Sequence, residues 1–112
     1  MKSIDPITEE TVRRFLALIG ERYDVAGAIL YGSRARGTHD HESDADVAVL
    51  LNGKAMRRLP VKLDMAETAF DIMLDTGILV SPYPVWNDEW EHPENHTNPR
   101  LLFNIEREGT RL

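Results

Sequence analysis

Two short runs of apolar residues, 25–31 and 44–51, constrain the fold more than any other feature of this sequence. Both are rich in alanine, valine, isoleucine and leucine and are too short for helices, which predicts two buried β-strands. The second run is apolar on both faces after Asp46, and a strand of that kind is typical of the middle of a covered sheet. We therefore expect a sheet with helices packed against it.

Helical patterns flank these strands on both sides. Asp5 and Pro6 form an N-cap and first-turn pair, and the following apolar stripe ends at Gly20. A second helix is predicted between Pro60 and Gly77 and a short one over 100–107. The residues expected to be buried are Val12, Phe15, Leu16 and Ile19 in the first helix, Leu63, Ala66, Phe70, Met73 and Leu74 in the second, and Leu101, Leu102 and Ile105 in the third.

The region between the second and third helices is predicted to be mostly irregular. A third short strand is expected over 78–80, ended by the proline-rich stretch 81–84, and residues 86–99 are expected to form an acidic loop. The order helix, strand, strand, helix, strand, helix predicts an α/β (α+β) fold in which a small mixed sheet is flanked by helices. We expect one domain spanning 1–112, a length that suffices for a single core.

Composition excludes several classes of protein. The chain has no cysteine, which removes disulfides, thiolate zinc sites and a cysteine nucleophile. It has no apolar stretch long enough for a membrane span or a signal peptide, so we expect a cytoplasmic protein that does not bind membranes. Its 13 basic and 19 acidic residues disfavour direct nucleic-acid binding. Residues 64–112 hold three basic and ten acidic residues, which favours a basic partner.

One spaced motif points to chemistry: Gly32-Ser33, ten residues, then Asp44-x-Asp46. A glycine directly after a buried strand lets the backbone approach a ligand closely, and free N–H groups of a helical turn there would bind phosphate. The Ser33 hydroxyl adds a donor. Arg34 and Arg36 add two cations for phosphate oxygens.

The two aspartates of this motif predict a metal site. Residues two apart on a strand project from the same face, so Asp44 and Asp46 repel each other and raise each other's proton affinity. Mg²⁺ typically takes one or two carboxylates together with substrate phosphates. A phosphate cradle next to a carboxylate pair is the outline of a nucleoside-triphosphate site.

The segments Gly32-Ser-Arg-Ala-Arg-Gly37 and Ser43-Asp-Ala-Asp-Val-Ala-Val49 resemble the signature of the DNA polymerase beta-like nucleotidyltransferases. More closely, the chain resembles the minimal nucleotidyltransferases encoded beside HEPN-domain proteins in toxin–antitoxin pairs. The resemblance implies that Gly32 and Ser33 hold the triphosphate, that Asp44 and Asp46 hold Mg²⁺, and that AMP passes from ATP to a hydroxyl. In such pairs the acceptor is a tyrosine of the HEPN ribonuclease, and its modification silences the toxin.

The sequence departs from this family at one point. The family usually has a third carboxylate on a later strand, whereas Ser81 or Tyr83 stands at the corresponding place here. Asp64, Asp71 or Asp75 of the preceding helix is the alternative source of that acid.

Three functions remain open at this stage. The first is an antitoxin that adenylylates a HEPN toxin within a hetero-oligomer. The second is a degenerate antitoxin that neutralises its toxin by binding alone, which the missing third acid favours. The third is a stand-alone transferase acting on a small molecule, of the aminoglycoside-modifying kind.

Overall fold

The computed structural model describes residues 4–112. Within this range no helix is long and apolar enough to cross a membrane. The elements, in chain order, are α1 (Pro6–Ile19), β1 (Val25–Tyr31), α2 (Ser33–Arg36), β2 (Ala45–Leu51), α3 (Arg58–Thr76), β3 (Val80–Trp86), α4 (Asn87–Glu91), a 3₁₀ turn (Pro93–Asn95), α5 (Pro99–Glu108) and β4 (Thr110–Arg111).

The strands form one mixed sheet in the order β3-β2-β1-β4. β1 runs antiparallel to β2 and β4, and β2 runs parallel to β3. This confirms the predicted fold class and the interior position of β2. The register places Asp46 opposite Tyr31 on one side and beside Ser81 on the other.

Helices cover the two faces of the sheet unequally. α1 and α3 pack on one face over a large core, and α5 packs on the other over a smaller one. The larger core includes Phe15, Ile19, Leu30, Val47, Val49, Met65 and Ile72, and the smaller one is formed by Ile29, Ala48, Leu50, Val85, Leu102 and Ile105.

Helix α1 forms as its sequence predicts. The Asp5 carboxylate accepts a hydrogen bond from the backbone N–H of Ile7, and Pro6 occupies the first turn. Val12, Phe15 and Ile19 are fully buried, as expected from their spacing. Helix α5 likewise buries Leu102 and Ile105, which confirms its predicted inner side.

The buried face predicted for α3 is wrong. The helix packs through Val61, Met65, Ala69 and Ile72, whereas most of the predicted stripe faces outward. Leu63, Phe70 and Leu74 are 59%, 52% and 68% exposed. The helix carries apolar residues at helical spacing on two faces, and the sequence pattern alone does not distinguish which of them packs against the sheet. Gly77 ends the helix in a left-handed conformation, as expected.

Strand β3 begins at Val80, the last residue of the strand predicted over 78–80, and continues through the proline-rich stretch expected to end it. Pro82 and Pro84 are tolerated because β3 is an edge strand, paired only with β2. They are two residues apart, so their missing N–H groups both lie on the unpaired edge. The stretch 86–99 is also more ordered than the predicted loop, since it holds α4 and the 3₁₀ turn. Such short helices are too brief to show a hydrophobic period.

Candidate functional site

The turn between β1 and α2 brings the backbone of Gly32 against the side chain of Asp46. Gly32 has φ +76° and ψ −157°, a combination that strongly favours glycine. A Cβ atom built at this position would collide with the Asp46 carboxylate. The two parts of the spaced motif therefore meet at one point: the backbone conformation favours glycine, and a side chain there would displace the Asp46 carboxylate.

Asp44 directly precedes β2, and Asp46 is the second residue of that strand, on the sheet face that α5 covers elsewhere. Asp44 is exposed and Asp46 is half-buried. Burial, and after it the neighbouring charge of Asp44, raise the pKa of Asp46, while Arg36 acts in the opposite direction. The predicted mutual repulsion is thus present at Asp46.

The two arginines of the motif have different surroundings. Arg36 is half-exposed, and its positive charge lowers the pKa of Asp46. Its guanidinium lies 3.6 Å from the Glu108 carboxylate of α5. Arg34 is buried, and its guanidinium donates hydrogen bonds to the Thr8 hydroxyl at 2.8 Å and to the Ser43 carbonyl at 2.9 Å. These bonds join the loop 37–44 to α1, and the role of Arg34 in phosphate binding stays a prediction.

Two tyrosines line the same face beside the carboxylates. Tyr31 lies opposite Asp46, and burial together with the charges of Asp46 and Tyr83 raises the pKa of Tyr31 to about 12. Burial also raises the pKa of Tyr83. Both phenols are therefore neutral hydrogen-bonding groups at physiological pH.

A buried histidine orients the hydroxyl of Tyr83. The Nδ1 atom of His96 accepts a hydrogen bond from the backbone N–H of Asn98 at 2.8 Å, so in the neutral ring Nε2 carries the hydrogen. Burial and the charge of Arg58 lower the pKa of His96, which keeps the ring neutral. Nε2 then donates to the Tyr83 hydroxyl at 2.9 Å, and the hydroxyl hydrogen remains available for another acceptor.

An ion pair supports Tyr83 from the other side. Both terminal nitrogens of Arg58 donate to the Glu89 carboxylate, at 2.9 and 2.7 Å, and one of them also donates to the Pro84 carbonyl. The guanidinium carbon lies 5.1 Å from the centroid of the Tyr83 ring. The short helix α4, which the sequence pattern missed, therefore serves to place Glu89.

The structure places one of the two residues expected in the position of the third acid next to Asp46. Ser81 is the β3 residue paired with Asp46, whereas Tyr83 is paired with Ala48. Asp64 and Asp75 lie on α3, on the other side of the sheet, where they bind Arg22 and Arg14. Asp71 lies exposed on that helix, so none of the three substitutes for the missing carboxylate. Among residues 4–112 no group of three or more His, Asp or Glu side chains could hold a metal ion.

The residues present nevertheless fit a divalent cation shared with a ligand. Two adjacent carboxylates, one of them half-buried with a raised pKa, are stabilised by a hard cation. Mg²⁺ accepts such a pair when phosphate oxygens and water complete its shell. The first N–H groups of α2 lack partners within their own helix and lie next to Gly32, where phosphate oxygens could bind them.

Tyr31, Tyr83 and His96 are members of this region that the sequence motif does not contain. Tyr31 directly precedes Gly32 in the sequence. Because successive side chains of a strand point to opposite faces, that position was a signal that Tyr31 belongs to this region. Tyr83 and His96 reach the region only through the register of β3 and the path of the chain after α4.

Comparisons with known proteins identify a family. A family model described as "Nucleotidyltransferase domain" matches residues 12–102, which is most of the chain. A segment of 54 residues is 44% identical to a protein of Methanocaldococcus jannaschii named "putative protein adenylyltransferase" and covers 48% of this chain. The match spans 52% of that relative, or about half of its length.

The chain is also similar to a solved structure from Sulfolobus solfataricus, described as a "putative nucleotidyltransferase". The two are 19% identical, with 81% of this chain and 83% of the other covered and a TM-score of 0.47.

Proposed function

The chain belongs to the nucleotidyltransferase domain family, and on that premise we propose that it transfers AMP from ATP to a hydroxyl group of another protein. The observation that carries the proposal is the contact between the Gly32 turn and the Asp46 carboxylate. A turn with free N–H groups that contacts one acid of a carboxylate pair supports nucleotidyl transfer, which needs a phosphate site next to a metal site.

Each residue of the site has a role in this proposal. Backbone N–H groups at the start of α2 and the Ser33 hydroxyl bind the β- and γ-phosphates. Asp44 and Asp46 would hold Mg²⁺, which when bound neutralises charge on the phosphates. Arg36, near Asp46, neutralises charge that develops on the leaving group.

The chemical step is an in-line displacement at the α-phosphorus. The acceptor oxygen forms a bond to that phosphorus, the bond to the bridging oxygen of the β-phosphate breaks, and pyrophosphate leaves. Because Ser81 rather than a carboxylate stands beside Asp46, the acceptor proton passes to solvent. A tyrosine acceptor, with a pKa near 10, depends less on a general base than an aliphatic alcohol does.

For the acceptor we propose a tyrosine of a HEPN ribonuclease toxin that forms a hetero-oligomer with this chain. The motif's resemblance to the minimal nucleotidyltransferases supports this, as does the name of the Methanocaldococcus relative, which specifies a protein substrate. The chain would then act as the antitoxin, in the cytoplasm, where ATP and Mg²⁺ are available.

The test is label transfer in a purified mixture of this chain, Mg²⁺ and the candidate partner, a HEPN-domain protein encoded in the same genome. ATP labelled at the α-phosphate should label the HEPN protein, and ATP labelled at the γ-phosphate should not. Asp44→Asn combined with Asp46→Asn should abolish labelling, whereas Asp88→Asn, at an exposed acid on α4, should not. Labelling that persists in the double variant would defeat the enzymatic proposal.

Ser81 in the position of the third acid favours a second candidate, an antitoxin that acts by binding alone. In that case the double variant would still neutralise the toxin in cells. Loss of neutralisation while the complex persists would exclude it.

A further inference from the structure

The outward face of α3 carries a continuous row of large apolar side chains. We call it the outer stripe. Its members are Leu59, Leu63, Phe70 and Leu74, which are 63%, 59%, 52% and 68% exposed. Ala66 lies between Leu63 and Phe70, so the successive members are four, three, four and four residues apart, a spacing that keeps them on one helix face.

The outer stripe is additional to the core and is not part of it. Helix α3 already contributes Val61, Met65, Ala69 and Ile72 to the core beneath it. The stripe surrounds a shallow groove of about 470 Å³, lined by Leu63, Ala66, Glu67, Phe70 and Asp71. Contiguous apolar patches of this kind on a protein surface are typical of interaction sites.

Charges beside the outer stripe define what kind of helix fits it. Glu67 and Asp71 are exposed along one flank and form no ion pair within residues 4–112. Two further acids of that flank, Asp64 and Asp75, are paired with Arg22 and Arg14. The flank therefore presents uncompensated negative charge next to an apolar surface.

A second copy paired antiparallel through the outer stripe would not bring a cation to Glu67 and Asp71. Lys62 lies on the opposite flank of the stripe, with its ammonium group 5.9 Å from the centroid of the Tyr83 ring. In an antiparallel pair of α3 helices related by a two-fold axis, each flank of one helix lies against the same flank of the other helix. Glu67 and Asp71 would then face the same residues of the other copy, and like charges at such positions are destabilising.

We propose that the outer stripe binds an amphipathic helix of a different protein whose apolar face is flanked by lysine or arginine. The stripe extends over the 15 residue steps from Leu59 to Leu74, or about 22 Å, which matches roughly four turns of a partner helix. Hydrophobic contact supplies the affinity, and the acidic flank selects the basic partner and its orientation.

This inference is independent of the proposed transfer reaction. Asp46 lies on the sheet face covered by α5, and α3 covers the other face. A helix seated on the outer stripe therefore leaves the carboxylates open, and changes in the stripe can be made without altering the site.

The experiment uses the full chain and two helical peptides of about 18 residues with identical leucine stripes. One peptide carries lysines along a flank and the other carries glutamates at the same positions. Fluorescence anisotropy should show the basic peptide binding at least about tenfold tighter than the acidic one, with an affinity that falls as salt is raised. Glu67→Gln with Asp71→Asn should reduce that preference.

An exposed phenylalanine outside the stripe provides the control. Leu63→Ser with Phe70→Ser should weaken binding of the basic peptide at least about tenfold, whereas Phe103→Ser, at an exposed phenylalanine of α5, should not. Thermal melts of each variant would verify that the chain remains folded. Equal affinity for the two peptides, no binding of either, or equal loss with Phe103→Ser would overturn the proposal. Sedimentation showing a dimer that Phe70→Ser dissociates would instead assign the stripe to self-association.

Discussion

The two faces of the sheet differ in how far their helices extend. On one face, α1 and α3 cover the strands over a large apolar core that includes both Ala45 at the start of β2 and Leu51 at its end. On the other face, α5 covers Ile29, Ala48 and Leu50 and goes no further. Tyr31 and Asp46, the next residues along that face of β1 and β2, are only partly covered.

The difference shows how a small chain combines a stable fold with an open site. The covered face supplies most of the buried apolar surface, so the other face can leave polar groups at the beginning of β2. A carboxylate that is half-buried beside a second acid has an elevated pKa, an unfavourable arrangement that a bound cation would relieve. Stability and chemistry are therefore expected to respond to different substitutions.

The largest expected effect on stability lies on the covered face. Phe15 is fully buried, and Phe15→Ala should lower the free energy of unfolding by about 3–5 kcal/mol, through lost hydrophobic contact and the cavity that remains. Phe103 is 58% exposed, and Phe103→Ala should change it by less than about 0.5 kcal/mol. Urea denaturation measures both. A small loss for Phe15→Ala would contradict the division between the faces.

A smaller effect on stability, joined to a large one on activity, is expected where the Gly32 turn meets Asp46. Gly32→Ala should cost about 1–3 kcal/mol, since it strains the backbone and displaces the carboxylate, and should lower transfer activity about 100-fold. Gly37→Ala is the matched control, because Gly37 has the same φ of +76° and a Cβ added there would meet no atom within 4 Å. Similar activities for the two variants would show that the contact with Asp46 has no catalytic importance.

A third effect concerns the hydrogen bond between Tyr83 and His96. Tyr83→Phe should cost about 1–3 kcal/mol because the buried Nε2–H group of His96 is left without an acceptor. Replacing both residues, as Tyr83→Phe with His96→Leu, should cost less than the sum of the single changes. Additive losses in this double-mutant cycle, measured by thermal unfolding, would argue against the hydrogen bond.

The smallest effect is a pH dependence at Asp46 when divalent cations are removed. Because the folded-state pKa of Asp46 is raised above 3.8, the folded protein binds the proton more tightly than the unfolded chain does. Ionised Asp46 therefore lowers stability at neutral pH, and this loss disappears as the pH falls through the folded-state pKa towards 3.8. Asp46→Asn should be modestly more stable than the parent chain at pH 7 and no more stable near pH 4. A variant that is less stable at pH 7 would contradict the pKa direction.

Local sequence signals predicted the parts of the fold that local physics determines. The strands around the motif, the cap at Asp5, the stripe of α1 and the end of α3 at Gly77 all follow from patterns within a few residues. The buried face of α3 did not, because Leu63 and Phe70 form as regular a stripe as Val61 and Met65, and only tertiary packing separates them.

The candidate site was predictable only in part for the same reason. The spacing of Gly32, Asp44 and Asp46 is visible in the sequence, and the structure brings Gly32 and Asp46 together. The burial of Arg34 depends on α1 and on the Ser43 carbonyl, and the support of Tyr83 depends on Arg58 and Glu89. These contacts join residues far apart in the chain, which no local pattern encodes.

The central claim is that the Gly32 turn and the carboxylate pair form a single site for a nucleotide and a divalent cation. Paramagnetic resonance of Mn²⁺ tests it directly, with the cation titrated into the chain in the presence and absence of a non-hydrolysable ATP analogue. We predict that the analogue raises the affinity for Mn²⁺ about tenfold or more, that Asp44→Asn with Asp46→Asn removes Mn²⁺ binding, and that Gly32→Ala removes the enhancement by the analogue. Mn²⁺ affinity that is unchanged by the analogue, or retained by the double variant, would contradict the claim.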